Sequence, residues 1–466
     1  MVQCGFTVGT VCLACVMLLP GPTCWAKTAS PQSTVSTKKG ANTLWFVSTK
    51  GSDANEGSVA HPWATIQHAD QVAKPGDTVI VLDGTYRGSV ALASSGTANH
   101  PLTYKAQNKW KAKLVGTGSG PGSAVIGVSG GHVIIQGFDI AGSDANGIIL
   151  ASSGSIASHN GAFENYVHDL VVPCDADSGT AIETGGGDNY HGIAHNAIVG
   201  NLIVNITPYK GCVGGHQASG LFAETPFTVI ADNIVINAGY GIQCWHAASH
   251  VTIVGNTLVN NLRGITVGAG DAPYNTENDY TSVRNNVIYN SADMAIAETG
   301  RTGPHNLYTD NLVYGGSTSI SLNNGLRATG TVVAKPPSFD NTRTAAGNYR
   351  LRRNSLAPWI VRGDTRASHM AGNPHIDELD TWWSGTSVEK VAPAASVTAS
   401  ATAVTIGQSS TITWKTKNAI SATLNGIPVA LNGSLSVQPT VTTSYKVVAI
   451  SPSGKTDWGS VTITAR

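Results

Sequence analysis

Glu183, Phe222, Glu224, Gln243, Trp245 and His246 bring two carboxyls, an amide, an imidazole and two aromatic rings to one stretch of a chain where charged residues make up only 12%. Glu183 and Glu224 can act together as general acid and base, or as acid and nucleophile, if their surroundings keep a proton on one and not the other. His246 and His216 compete for the role of base, with a reference pKa near 6.5 that suits proton transfer at neutral pH. Lys210 is a third competitor, the only lysine between Lys113 and Lys335. Trp245 and Phe222 offer apolar faces on which a sugar ring can stack, while Gln243 and Arg263 add polar contacts. Asp175, Asp177, Asp188 and Asp271 are hard oxygen donors of the type that holds Ca²⁺, and also ordinary turn formers.

What must position these groups is legible in the composition. Gly contributes 53 of the 466 residues, about 11% against a usual share of roughly 7%. Twenty-eight basic and 28 acidic side chains cancel to a formal charge of zero, which excludes gathering nucleic acid or an anionic membrane by net charge. A chain rich in Gly, Asn, Thr, Ser and Val is a β-protein of short strands and many turns.

From about residue 130 a phrase of the form xVxIxxNxVxN recurs, as in IVGNLIVNI, VIADNIVIN and IVGNTLVNN. Its Asn stands at Asn165, Asn201, Asn233, Asn256, Asn286 and Asn311, with Gly137 in the first copy. A second short strand follows each phrase, anchored by Ile148, Ile182, Leu221, Ile242, Ile265, Ile296 and Ile320. Short strands bent at Gly or Asn and repeating at this length form the coils of a solenoid. An Asn at one repeat position can ladder its amides along the stack at the strand spacing of about 4.8 Å.

The register then orders the chemistry. With each Ile or Leu anchor inward, the next residue points outward, and so does the one two further on. The first outward column reads Glu183, Phe222, Gln243, Thr266, Ala297, Ser321, and the second Gly185, Glu224, Trp245, Gly268, Thr299, Asn323. Longer connections at 171–179, 207–220 and 268–280 lie next to these columns and would wall a cleft.

The opening WFVSTKGSDANEG, the stretch PWATIQHADQVAKPGDTVIVLDGTYRGSV and the Asn repeats resemble right-handed parallel β-helix proteins of the pectate lyase and chondroitinase B type. The resemblance covers roughly residues 44–383 and implies an all-β, single-stranded right-handed parallel β-helix, with a helix near 65–74 capping its open end. PPSFDNTRTAAGNYRLRRNSLAPWI resembles the closing segment of that group. The resemblance implies a polysaccharide substrate. One expected chemistry is β-elimination on a uronate-containing glycan, for which related lyases use Lys or Arg as base and often Ca²⁺ as neutraliser. The calcium-ligating run of closely spaced Asp in that group has no residue-by-residue counterpart here. Glycoside hydrolysis or epimerisation through Glu183 and Glu224 is the alternative, and a non-catalytic surface or adhesion protein is a third reading.

The remaining segments are expected as follows. Residues 1–26 read as a signal peptide, with an apolar run at 6–20 too short for a comfortable membrane span, so the chain is expected to be secreted or at the cell surface, or periplasmic, without stable membrane insertion. Residues 27–43 read as a disordered lead-in. After a linker at 384–393, residues 394–466 read as six or seven alternating strands around Trp414, an immunoglobulin-like sandwich. In an exported protein Cys174 and Cys212, in neighbouring insertions, could form a disulfide. A monomer is expected.

Overall fold

The computed structural model describes residues 43–118, 122–142, 144–151, 158–172, 179–185, 195–208, 218–270, 276–333, 336–337, 339–341, 348–351, 393–417, 419, 421–425, 427–429, 431–450 and 456–466. The expected signal peptide and nearly all of the lead-in and linker lie outside them, as do Cys174 and Cys212. Three long sheets of 11, 10 and 9 strands dominate the described residues, and every strand pairs in parallel with its counterpart one coil away. The protein is a parallel β-helix.

Each coil carries three strands, one more than the repeat phrase suggested. The phrase itself is two strands, as in Ala197–Val199 followed by Leu202–Pro208, bent at Asn201. The inward Ile and Leu residues then anchor the third strand, as in Ala218–Ala223. Ile148, Ile182, Leu221, Ile242, Ile265 and Ile296 are fully buried and stack in register. Burying each side chain contributes roughly 1.5–3 kcal/mol.

The asparagine ladder forms. The side-chain Nδ2 of Asn165 donates to Oδ1 of Asn201 at 3.1 Å, and the contact repeats to Asn233, Asn256, Asn286 and Asn311 at 2.9–3.0 Å. Each amide also donates to a carbonyl of the preceding coil, such as that of Ile198 for Asn233. All six are fully buried, so the ladder satisfies bend carbonyls that water cannot reach. The first copy differs from expectation by one residue. Phe138, not Gly137, stands at the ladder level, since its N–H donates to Asn165 Oδ1 at 3.0 Å. Gly137 precedes it with φ +79°, the left-handed turn conformation.

The expected capping helix spans Ile66–Val72. Thr65 caps its N-terminus by accepting from the His68 N–H at 3.1 Å. Ile66 and Ala69 are buried in the core cluster that runs on through the coils. Asp70 binds the helix to them by accepting from Tyr104 Oη at 2.5 Å and from the Ala93 N–H at 3.0 Å.

Beyond residue 393 a separate core gathers Ile412, Trp414, Leu424, Val447 and Ile463 between a three-stranded and a five-stranded sheet. Eight strands are described there, against six or seven expected, because the pattern splits Ser421–Leu424 from Ile427–Val429 in a hairpin.

Candidate active site on the third sheet

The first outward column stands in the order its sequence implied. Glu183 pairs with Phe222, Phe222 with Gln243, Gln243 with Thr266, Thr266 with Ala297 and Ala297 with Ser321. Although these residues point away from the coil interior, Glu183, Phe222, Gln243, Thr266 and Ala297 are all at most 6% exposed. A carboxylate in such surroundings is costly to ionise. Burial pushes the Glu183 carboxyl well above the usual carboxylate range, and the neighbouring charge of Glu224 raises it further. Both effects favour the protonated form of Glu183.

Glu224 lies two residues beyond Phe222, just past the strand end. Its N–H donates to Thr184 Oγ1 at 3.1 Å, which ties it to the coil of Glu183. The next coil supplies His246, whose Nε2 stands 3.1 Å from Glu224 Oε1. That approach depends on a turn, since His246 adopts φ +54° directly after the strand Tyr240–Cys244 and Trp245. Its carbonyl accepts from Thr276 Oγ1, and its ring tilts toward Phe222 with centroids 5.8 Å apart.

Trp245 is half-buried, and its six-membered ring lies against the α-carbons of Gly268 and Gly300, so the indole reaches across two further coils. Gln243 is oriented by Ser219, whose hydroxyl donates to its Oε1 at 2.8 Å. Arg263 lies three residues before Thr266 on its strand, about 10 Å along it. There its Nε binds Asp293 Oδ2 at 2.7 Å and its guanidinium sits over Tyr240 at 5.4 Å. Lys210, His216, Asp175, Asp177, Asp188 and Asp271 lie outside the described residues. Among the described residues no cluster of three or more His, Cys, Asp or Glu is arranged to hold a metal ion.

Two further reactive side chains on this sheet, a thiol and a carboxyl, face inward. Cys244 is buried, and burial pushes its thiol up to about 12, so it is an inert core residue. Glu298 pairs with Val267 in the inward column and accepts from Tyr308 Oη and Asn306 Nδ2 at 2.8 Å and from the Asn323 N–H at 2.7 Å. These donors make Glu298 a tie between the last coils.

One feature of the fold was not foreseen. His132, His159, His195, Phe227, His250, Tyr280 and His305 stack ring on ring along the corner before the first sheet, with centroids 4.5–4.9 Å apart. Each stands one or two residues ahead of a first-sheet strand, a spacing visible in the sequence once that strand is aligned.

Residues 45–226 match the Pel9A-like, right handed beta helix region. That match takes in Glu183 and Glu224 and ends before Gln243, Trp245 and His246. The uncharacterized protein YwoF of Bacillus subtilis (strain 168) is 29% identical over 153 residues, 30% of this chain and 32% of that protein. The alignment thus spans about a third of that relative. Among solved structures, pectate lyase Pel9A superposes with a TM-score of 0.47 at 16% identity, covering 67% of this chain and 90% of that one. A rhamnogalacturonan lyase superposes with a TM-score of 0.42 at 15% identity, covering 62% and 86%.

Proposed function

We propose that this chain is a polysaccharide-active enzyme that cleaves a uronate-containing glycan by β-elimination on the third sheet. The observation that carries the reading is the contact of His246 Nε2 with Glu224 Oε1 at 3.1 Å, on the sheet where burial favours the protonated form of Glu183. A carboxylate on one ring nitrogen orients an imidazole and steadies the imidazolium it becomes, leaving the proton from substrate to arrive at Nδ1. His246 is the general base in this scheme and Glu224 its orienting partner. Glu183, whose burial favours the protonated form, is the general acid that protonates the departing glycosidic oxygen.

The step balances within the substrate and these groups. His246 removes the proton from the carbon beside the carboxylate, and that C–H electron pair becomes the new C=C bond. The glycosidic C–O bond at the next carbon breaks, its electron pair leaving with the oxygen, which takes up the proton of the Glu183 carboxyl. The match of residues 45–226 to the Pel9A-like region supports the reading. A polymer substrate also fits the expectation of export, and Asp175, Asp177, Asp188 and Asp271 stay the proposed donors should Ca²⁺ assist.

Hydrolysis is the competing reading, favoured by the same protonated Glu183, which could serve as acid with Glu224 as base. The engagement of Glu224 by His246 weighs against it. A panel of uronate polymers followed in the ultraviolet separates the two. Elimination gives the unsaturated uronate chromophore, lost in His246→Ala and Glu183→Ala. Reducing ends released without that chromophore would establish hydrolysis, and full elimination activity in both variants would overturn the assignment.

A further inference from the structure

Thr266 is 2% exposed, and its Oγ1 is buried without a hydrogen-bond partner. Leaving a buried hydroxyl unsatisfied is unfavourable, and this one stands in an outward column. Thr266 stands in register with Gln243 on the neighbouring coil. Ser219 donates to the Gln243 carbonyl oxygen, which leaves Nε2 as the donor end of that side chain. Gln243 and Thr266, each carrying a donor, thus occupy neighbouring strands in register at a backbone spacing of about 4.8 Å.

We infer that Gln243 and Thr266 form a carboxylate-recognition pair, with Thr266 Oγ1 donating to one oxygen of a substrate uronate and Gln243 Nε2 to the other. The inference rests on the proposed elimination and deepens it, since it makes the acid group of the sugar the feature selected. Neutral sugars lack the carboxylate, and their hydroxyl oxygens are weaker acceptors for the Thr266 hydroxyl. Thr266 touches substrate in this scheme, on the coil next to that of His246.

Thr266→Val, which keeps the shape and removes the hydroxyl, tests the pair, with Thr266→Ser as the conservative control. Two quantities are measured on the full chain: the thermal midpoint without ligand, and binding of oligogalacturonate and oligomannuronate by calorimetry. Because the hydroxyl has no partner in the fold, the Val variant is expected to melt at or above the wild-type temperature. Its affinity for the oligouronate that wild type binds is expected to fall roughly ten- to a hundred-fold, as for loss of a hydrogen bond to a charged group. Thr266→Ser should recover most of that loss.

A lower midpoint for Thr266→Val would show that the hydroxyl is satisfied within the fold and overturn the inference. Unchanged oligouronate affinity in a variant of wild-type stability would overturn it equally. If wild type binds neither oligouronate, the elimination reading and the recognition pair both fall, whereas loss of binding in Thr266→Val with wild-type behaviour in His246→Ala would retain the pair and reject only the base.

Discussion

His246 Nε2 lies 3.1 Å from Glu224 Oε1, although the two residues come from different coils and only the carboxylate is deeply buried, the imidazole remaining 23% exposed. The pairing puts a reachable base on a buried orienting group. Removing the base by His246→Ala should lower turnover by roughly 10²–10⁴-fold, the usual contribution of a positioned general base. Glu224→Gln should lower it less, since the amide can still hold the ring. Both are read as initial rates on the uronate polymer that wild type cleaves.

Glu183 gives a prediction about stability as well as rate. Its folded pKa is raised above the ordinary value of 4.5, so the folded state binds the proton more tightly than the unfolded chain. Stability from this group is therefore present below pH 4.5 and is lost as pH rises toward the folded pKa. Glu183→Gln removes the titration. It should raise stability at neutral pH by roughly 1–3 kcal/mol, with the difference shrinking at acid pH, while abolishing activity. Urea denaturation at several pH values checks the sign.

The stacked corner predicts the opposite pH trend. Burial lowers His159 and His250 to about 4, with neighbouring histidines adding to the effect at His159 and Asp279 opposing it at His250. The unfolded chain then binds more protons than the fold between the ordinary 6.5 and about 4, so stability falls as pH falls through that window. His159→Phe keeps a ring in the stack, as Phe227 already does. It should lessen the acid loss by on the order of 1 kcal/mol after allowance for partial exposure, seen in the thermal midpoint against pH.

The asparagine ladder is the third stability test. Asn233→Ala removes an acceptor for the N–H and Nδ2 of Asn201 and donors to Ile198 and Asn256. Each group left buried without a partner costs about 1–3 kcal/mol, so a loss of about 2–4 kcal/mol is expected in denaturant unfolding.

Much of this site could be read before any coordinates. In a parallel solenoid each residue lies beside its repeat equivalent, so the spacing of Ile182, Leu221, Ile242 and Ile265 by itself determined that Glu183, Phe222, Gln243 and Thr266 form one column. The alternation of the strand set which way the column points. The buried Asn ladder followed from the same periodicity, missing only at Gly137, where Phe138 takes the level.

Tertiary structure alone decided how those groups behave. That an outward column is buried, and hence that the Glu183 carboxyl is raised, depends on what covers the sheet, which no repeat encodes. His246 reaches Glu224 because of a left-handed turn at φ +54°, a backbone state its sequence neighbours do not dictate. Glu298 faces inward and ties the last coils through contacts with Tyr308 and Asn306 on another strand. The unsatisfied hydroxyl of Thr266 is visible only when every surrounding atom has a place. Periodicity fixes who stands beside whom, while burial and turn geometry fix charge, hydrogen bonding and reach, because these sum over neighbours distant in the chain.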